Sequence, residues 1–146
     1  MTSRPLVGIA VAIAVGSTVL TLVAVILMVE NKFVAGGIFW PALIFVGTTY
    51  AWVGARVVAR EPRNVVGWFL VLGACCWSIN SLAEQYAWFA VSSAAALPGA
   101  SIGAWLNTWV WIIGTAMLLV FMPIFFPDGR LPSRRWRPVV GLMLGV

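Results

Sequence analysis

Pro5-Leu6-Val7-Gly8-Ile9-Ala10-Val11-Ala12-Ile13-Ala14-Val15-Gly16-Ser17-Thr18-Val19-Leu20-Thr21-Leu22-Val23-Ala24-Val25-Ile26-Leu27-Met28-Val29 carries no charged side chain along its whole length. About 20 residues rising 1.5 Å each cross a hydrocarbon core of about 30 Å, so this run spans a bilayer with some tilt. A signal peptide, the competing reading with Arg4 in front, has an apolar core of roughly 7–15 residues and a small-residue cleavage site. This run is longer, and no such site follows it. The composition agrees: 62% of the 146 residues are hydrophobic and 9% are charged. Soluble domains carry roughly 25% charged residues, so the chain is an integral membrane protein.

Outward from that first span, TM1 (5–29), the chain alternates apolar runs with short polar breaks. Glu30-Asn31-Lys32 and then Gly36-Gly37 make a connection short enough to set TM1 and TM2 (38–58) antiparallel. Trp40 and Pro41 lie at the start of TM2, and Arg56 lies near its far end, where its stem can snorkel to water. Arg60-Glu61-Pro62-Arg63-Asn64 is the second break; Pro62 stops the helix, and Asn64 is a candidate N-cap for TM3 (65–88). A small, uncharged loop over 92–101 leads into TM4 (102–126), with Trp105, Trp109 and Trp111 near its start and Pro123 near its end. The fold class is all-α: one polytopic helical membrane module over 1–146, with four transmembrane helices and the start of a fifth at 138–146. Nine residues rise only about 13 Å as helix, which leads us to expect that the natural reading frame continues and completes that span.

Two small-residue stripes, Gly8/Ala12/Gly16 in TM1 and Gly47/Ala51/Gly54 in TM2, allow a second helix to approach closely. The partner is either a helix of the same chain or a second copy in a homodimer. The same stripes also fit the general abundance of small residues in membrane helices.

Charge sets the orientation. With a cytoplasmic N-terminus, Arg4, Arg56, Arg60, Arg63, Arg130, Arg134, Arg135 and Arg137 fall inside, and Lys32 alone falls outside. That asymmetry, in short loops, predicts a multi-pass plasma-membrane protein with its N-terminus in the cytoplasm. The net charge of +5 follows from this arrangement, with no basic face for nucleic acid.

The densest basic stretch is Phe126-Pro127-Asp128-Gly129-Arg130-Leu131-Pro132-Ser133-Arg134-Arg135-Trp136-Arg137-Pro138. Pro127, Asp128 and Gly129 have the chemistry of a β-turn: a preset φ, a side-chain acceptor and a tolerant exit. Arg130, Arg134, Arg135 and Arg137 around Trp136 suit a bilayer with anionic headgroups, cations meeting phosphates and the indole at the hydrocarbon boundary.

No catalytic, cofactor or metal constellation is present. The chain has no histidine, and its four acidic residues are not spaced as an acid–base pair. Cys75 and Cys76 sit inside a span and are read as packing residues. Glu84 is the one acidic residue well inside a helix. Counting along TM3 puts it near the outer interface, with Asn80 one turn earlier on the same face. Asn107 enters TM4 at a similar depth, so Asn80, Glu84 and Asn107 form a candidate outer-rim polar site. The alternative is a carboxylate solvated at the headgroups. Likewise Trp105, Trp109 and Trp111 are either a stacking platform or an aromatic belt.

Two motifs carry a family resemblance. Arg60-Glu61-Pro62-Arg63-Asn64-Val65-Val66-Gly67-Trp68 resembles an element at an inner loop and helix start of membrane sensor histidine kinases, especially actinobacterial ones. Phe126 to Pro138 resembles the F-P-D-G-R-L-P-S-x-R-W-R-P loop of the same N-terminal membrane modules. Leu82 to Ala87, Leu97 to Ala100 and Ala104-Trp105 are similar to the module as well. The resemblance covers about Arg60 to Pro138 and implies the membrane input module of a two-component sensor kinase. In that family, a phosphoacceptor histidine and an ATP-binding domain follow the membrane module. Neither is in this chain, so no catalytic residue carries over. A small membrane scaffold or partner-binding subunit, or a transporter fragment, are the other readings. The last is disfavoured by how few polar groups lie at mid-span: Thr48, Thr49, Ser78 and Thr115.

Overall fold

Backbone groups in hydrocarbon find no water, so apolar runs of this length close their hydrogen bonds within helices. The computed structural model of the chain describes residues 4–32, 39–93 and 97–126, together with Gly129, Pro138 and Gly141. Its helices are α1 (Arg4–Glu30), α2 (Phe39–Arg60), α3 (Val65–Ser92), α4 (Ala100–Asn107), α5 (Val110–Thr115) and α6 (Met122–Phe125), with a π-helical turn Ala116–Phe121 between α5 and α6. There is no strand among the described residues. Three stretches are long and apolar enough to cross a membrane: Arg4–Glu30, Val65–Ser92 and Ala100–Phe125. The expected start of a fifth span lies outside the described residues except for Pro138 and Gly141.

α3 is the hub. All the other helices pack on it, α1 and α2 also pack on each other, and α4 to α6 pack closely only on α3 and their own neighbours. Side-chain pairings set the directions. Thr21 Oγ1 donates to Ser78 Oγ at 3.2 Å, and Asn31 Nδ2 donates to Gln85 O at 2.9 Å and Gln85 Oε1 at 3.1 Å, so α1 and α3 run parallel. Gly54 lies against Gly67 and Leu70, and Gly67 against Val58, so α2 runs antiparallel to α3. Gly103 meets Ala83, and Gly73 meets Leu118 and Gly114, so the fourth segment returns antiparallel as well. One end of the bundle therefore collects Arg4, Arg60, Asn64 and Gly129. The other collects Asn31, Ser92 and Ala100.

The main core is built from small side chains: Ala10, Ala14, Ala51, Ala55 and Ala74 around Val58 and Val71. In lipid there is no hydrophobic force between helices, and close van der Waals contact between slim surfaces takes its place. A second cluster joins Val66, Leu70 and Leu118 under Trp77, Met122 and Phe125. There Phe69 stacks on Phe121 at 5.7 Å and tilts against Phe125 at 5.5 Å.

Two expectations are corrected. The stripe Gly8/Ala12/Gly16 faces no other described helix: Ala12 is exposed, and a Cβ on Gly8 or Gly16 would meet nothing within 4 Å. α1 buries Ala10, Ala14, Ser17, Thr21, Ala24 and Met28 instead. The fourth segment, expected as one helix, is also segmented. At Thr108 the hydroxyl donates back to Trp105 O at 2.6 Å, while Thr108 N bonds Trp105 O at 3.1 Å and Trp109 N bonds Leu106 O at 3.3 Å, a tightened i→i+3 turn. Farther on, Pro123 has no N–H for the carbonyl of Leu119, and its ring crowds that carbonyl. The helix widens just before it, and Met122 N bonds Met117 O, five residues back.

Candidate functional site

At the Asn31 end, the three outer-rim residues lie along the seam between α3 and the fourth segment. Gly103 sits at Ala83 and Gly114 at Gly73, so Asn107 comes level with Asn80, within about one turn of Glu84. Asn80 is only 6% exposed, and its Oδ1 has no hydrogen-bond partner. Glu84 and Asn107 are half-buried, and no hydrogen bond joins them to each other or to Asn80 among the described residues. Trp109, at the break after α4, adds a buried Nε1 donor that is also without a partner. An acceptor, a carboxylate and an amide thus stand within about one turn of one another at this seam, with no hydrogen bond among them in the described residues. Its chemistry suits water or a small polar molecule carrying both donors and acceptors. Trp105 packs edge-on against Trp109 at 5.1 Å, and Trp105 and Trp111 are exposed, as side chains at a membrane interface are.

Sequence reasoning missed the polar clip beside this seam. Gln85 is 3% exposed, and Asn31 reaches it from the end of α1 with two hydrogen bonds. Ser92 Oγ then donates to Asn31 Oδ1 at 3.4 Å. The only sequence signal was a glutamine next to Glu84 on a different face of the helix.

At the opposite end, the two resembling motifs meet. Asn64 caps α3 by accepting from Val66 N at 3.0 Å, the expected role. Its Nδ2 donates to Glu61 Oε2 at 3.0 Å, and Trp68 Nε1 donates to Pro62 O at 3.0 Å, so the whole break is tied to the first turn of the helix. Gly129, from the basic loop, closes on this cap. Its N–H bonds Phe125 O at 2.8 Å, and its φ of +69° is the left-handed geometry that a turn glycine provides. A Cβ on Gly129 would lie 2.8 Å from Asn64 Oδ1 and 3.1 Å from Val65 N. Glycine is therefore required there twice, for conformation and for approach. The other motif residues, Pro127, Asp128, Arg130, Arg134, Arg135, Trp136 and Arg137, lie outside the described residues.

Cys75 and Cys76 are free and half-buried; a Cβ on Gly114 would lie 3.1 Å from Cys76 Cβ, so Cys76 packs on α5. Among the described residues no three His, Cys, Asp or Glu side chains gather as a metal site requires. No family model, curated protein or solved structure matches the chain.

Proposed function

We propose that this chain is the membrane-embedded input and anchoring module of a two-component sensor histidine kinase, with four spans in the plasma membrane and a cytoplasmic N-terminus. The observation that carries the reading is the junction of Gly129 with the Asn64 cap. Gly129 and Asn64, one from each of the two motifs that resemble the kinase module, are 65 residues apart in sequence (129 − 64) and come together at one end of the bundle. Helix directions support the orientation, because they gather Arg4, Arg56, Arg60 and Arg63 at the same end as the start of the basic loop. α2 adds to the three long apolar stretches to make four: its 22 residues rise about 33 Å, enough to cross. Signal would pass as a change of helix packing from the outer rim through the segmented fourth span into the loop, given a ligand or membrane state that favours one packing.

Reporter fusions after Lys32, Arg63, Pro98 and Arg137 should read outside, inside, outside, inside, and the frame downstream of Val146 should encode a phosphoacceptor histidine and an ATP-binding domain. A different order of sides breaks the topology. A downstream region without those two elements breaks the kinase reading. A membrane scaffold would then take its place, favoured by the uncovered Gly8/Gly16 face of α1 as a surface for homodimer contact.

A further inference from the structure

A lateral cleft opens between α2, α3 and the junction of α5 with the π-helical turn. It holds about 200 Å³ and is lined by Val46, Gly47, Tyr50, Trp77, Thr115, Leu118 and Leu119. Its wall is almost wholly apolar, as a membrane-facing cleft should be. The exceptions are three groups that hydrogen-bond no described residue through their side chains.

Thr115 is the first. Several hydroxyls inside these helices return to the carbonyl four residues back, as Thr18 does to Ala14, Ser78 to Ala74 and Ser81 to Trp77, while Ser17 in α1 is, like Thr115, buried without a partner. Thr115 makes no such return bond, and its Oγ1 is buried without a partner. It stands at the junction where α5 becomes the π-helical turn, a distortion frequently found at functional sites. Trp77 is the second. Its pyrrole edge lies over Gly114, where a Cβ would come within 2.7 Å of Cδ1, and its Nε1 bonds no other described residue. Tyr50, across the cleft on α2, likewise has a hydroxyl bonded to no described residue. Unsatisfied donors in hydrocarbon are costly, and three on one cleft ask for an acceptor.

We propose that the cleft binds a membrane-dissolved molecule with a flat apolar body and a carbonyl acceptor. The two aromatic side chains take its faces or edges, and one or more of Thr115, Trp77 and Tyr50 donate to the carbonyl oxygen. Binding would bridge α2 to the fourth segment, which otherwise packs closely only on α3. The site does not depend on the kinase reading.

A heptyl benzophenone tests it, because its ketone is both the acceptor and the photoreactive group. Irradiated with the whole chain in bilayers, it should label residues 46–50, 77 and 115–119. Fluorenone should compete with it, and fluorene, of the same shape without a carbonyl, should compete about tenfold less well. Thr115→Val should raise the half-labelling concentration about fivefold. Gly47→Ala is the variant that keeps the fold, since its Cβ would stand at an ordinary 3.8 Å from Trp77 Cβ; it narrows the cleft and should also weaken labelling. Equal competition by fluorene, or labelling spread evenly over the lipid-facing residues, makes the cleft a general lipid contact and overturns the proposal. So does unchanged labelling in both variants.

Discussion

α1 and α2 each carry glycine and alanine at near-four-residue spacing, and the two stripes meet opposite fates. In α2, Ala51 is fully buried, and Gly54 lies so close to α3 that a Cβ would come 2.7 Å from the carbonyl oxygen of Gly67. In α1, Gly8 and Gly16 look onto open space. The stripe that does pack in α1 is Ala10, Ala14, Ser17, Thr21, Ala24 and Met28, spaced alternately by four and three. That is the seven-residue period of a long helix–helix seam, and two of its members are hydroxyls. Small residues at four-residue spacing permit close approach; they do not select the face. The longer period, sustained over the whole helix, does.

The contrast can be broken most forcefully at Gly54. A valine there must displace the backbone of Gly67 and the Cβ of Leu70, neither of which is the far end of a flexible side chain. We expect Gly54→Val to destabilise the bundle by about 3 kcal/mol, the upper part of the overpacking range. Detergent-driven unfolding in bicelles measures it. A loss under about 1 kcal/mol would mean that α2 and α3 are not held together at this contact.

A smaller effect is expected where α1 is joined to α3 by polar groups. Asn31→Ala removes both hydrogen bonds to Gln85 and leaves its Oε1 without that donor in a side chain 3% exposed. The cost should be about 1.5 kcal/mol, toward the top of what single polar contacts between membrane helices contribute. The same unfolding assay reads it. A neutral result would leave the Ala10 to Met28 stripe, with its Thr21–Ser78 hydrogen bond, to hold α1 on α3.

How much was legible divides along similar lines. Whatever depends on local chemistry was visible: the helical spans from apolar length, the Asn64 cap from its place after Pro62, and the turn at Gly129 from its neighbours. Whatever depends on which faces meet was not. Asn31 and Gln85 are 54 residues apart, and nothing in either segment points to the other. Segmentation of the fourth segment was half-visible, since Pro123 was in view but its effect on the carbonyl of Leu119 shows only as a widened turn. For the outer rim, matched depth brought Asn107 level with Asn80, while the unpartnered Trp109 indole depended on a break at Thr108 that its sequence gave no cause to expect.

The smallest effect is expected on the uncovered stripe itself. In water, replacing a helical glycine gains about 0.5–1 kcal/mol from backbone entropy alone. In a bilayer the unfolded protein keeps its helices, because bare backbone groups cannot remain in hydrocarbon, so most of that gain cancels between the two states. With nothing within 4 Å of its Cβ position, Gly16 also offers a new side chain no clash. Gly16→Leu should therefore change unfolding of the single chain by less than about 0.5 kcal/mol. Self-association, followed by energy transfer between labelled chains in dilute vesicles, separates the two roles left to this face. If Gly8 and Gly16 seat a second copy, Gly16→Leu abolishes transfer and leaves chain unfolding unchanged. If the face meets only lipid, neither measurement moves. A loss of single-chain stability above about 1 kcal/mol would overturn the comparison, since the stripe would then be packed in the same way as the one on α2.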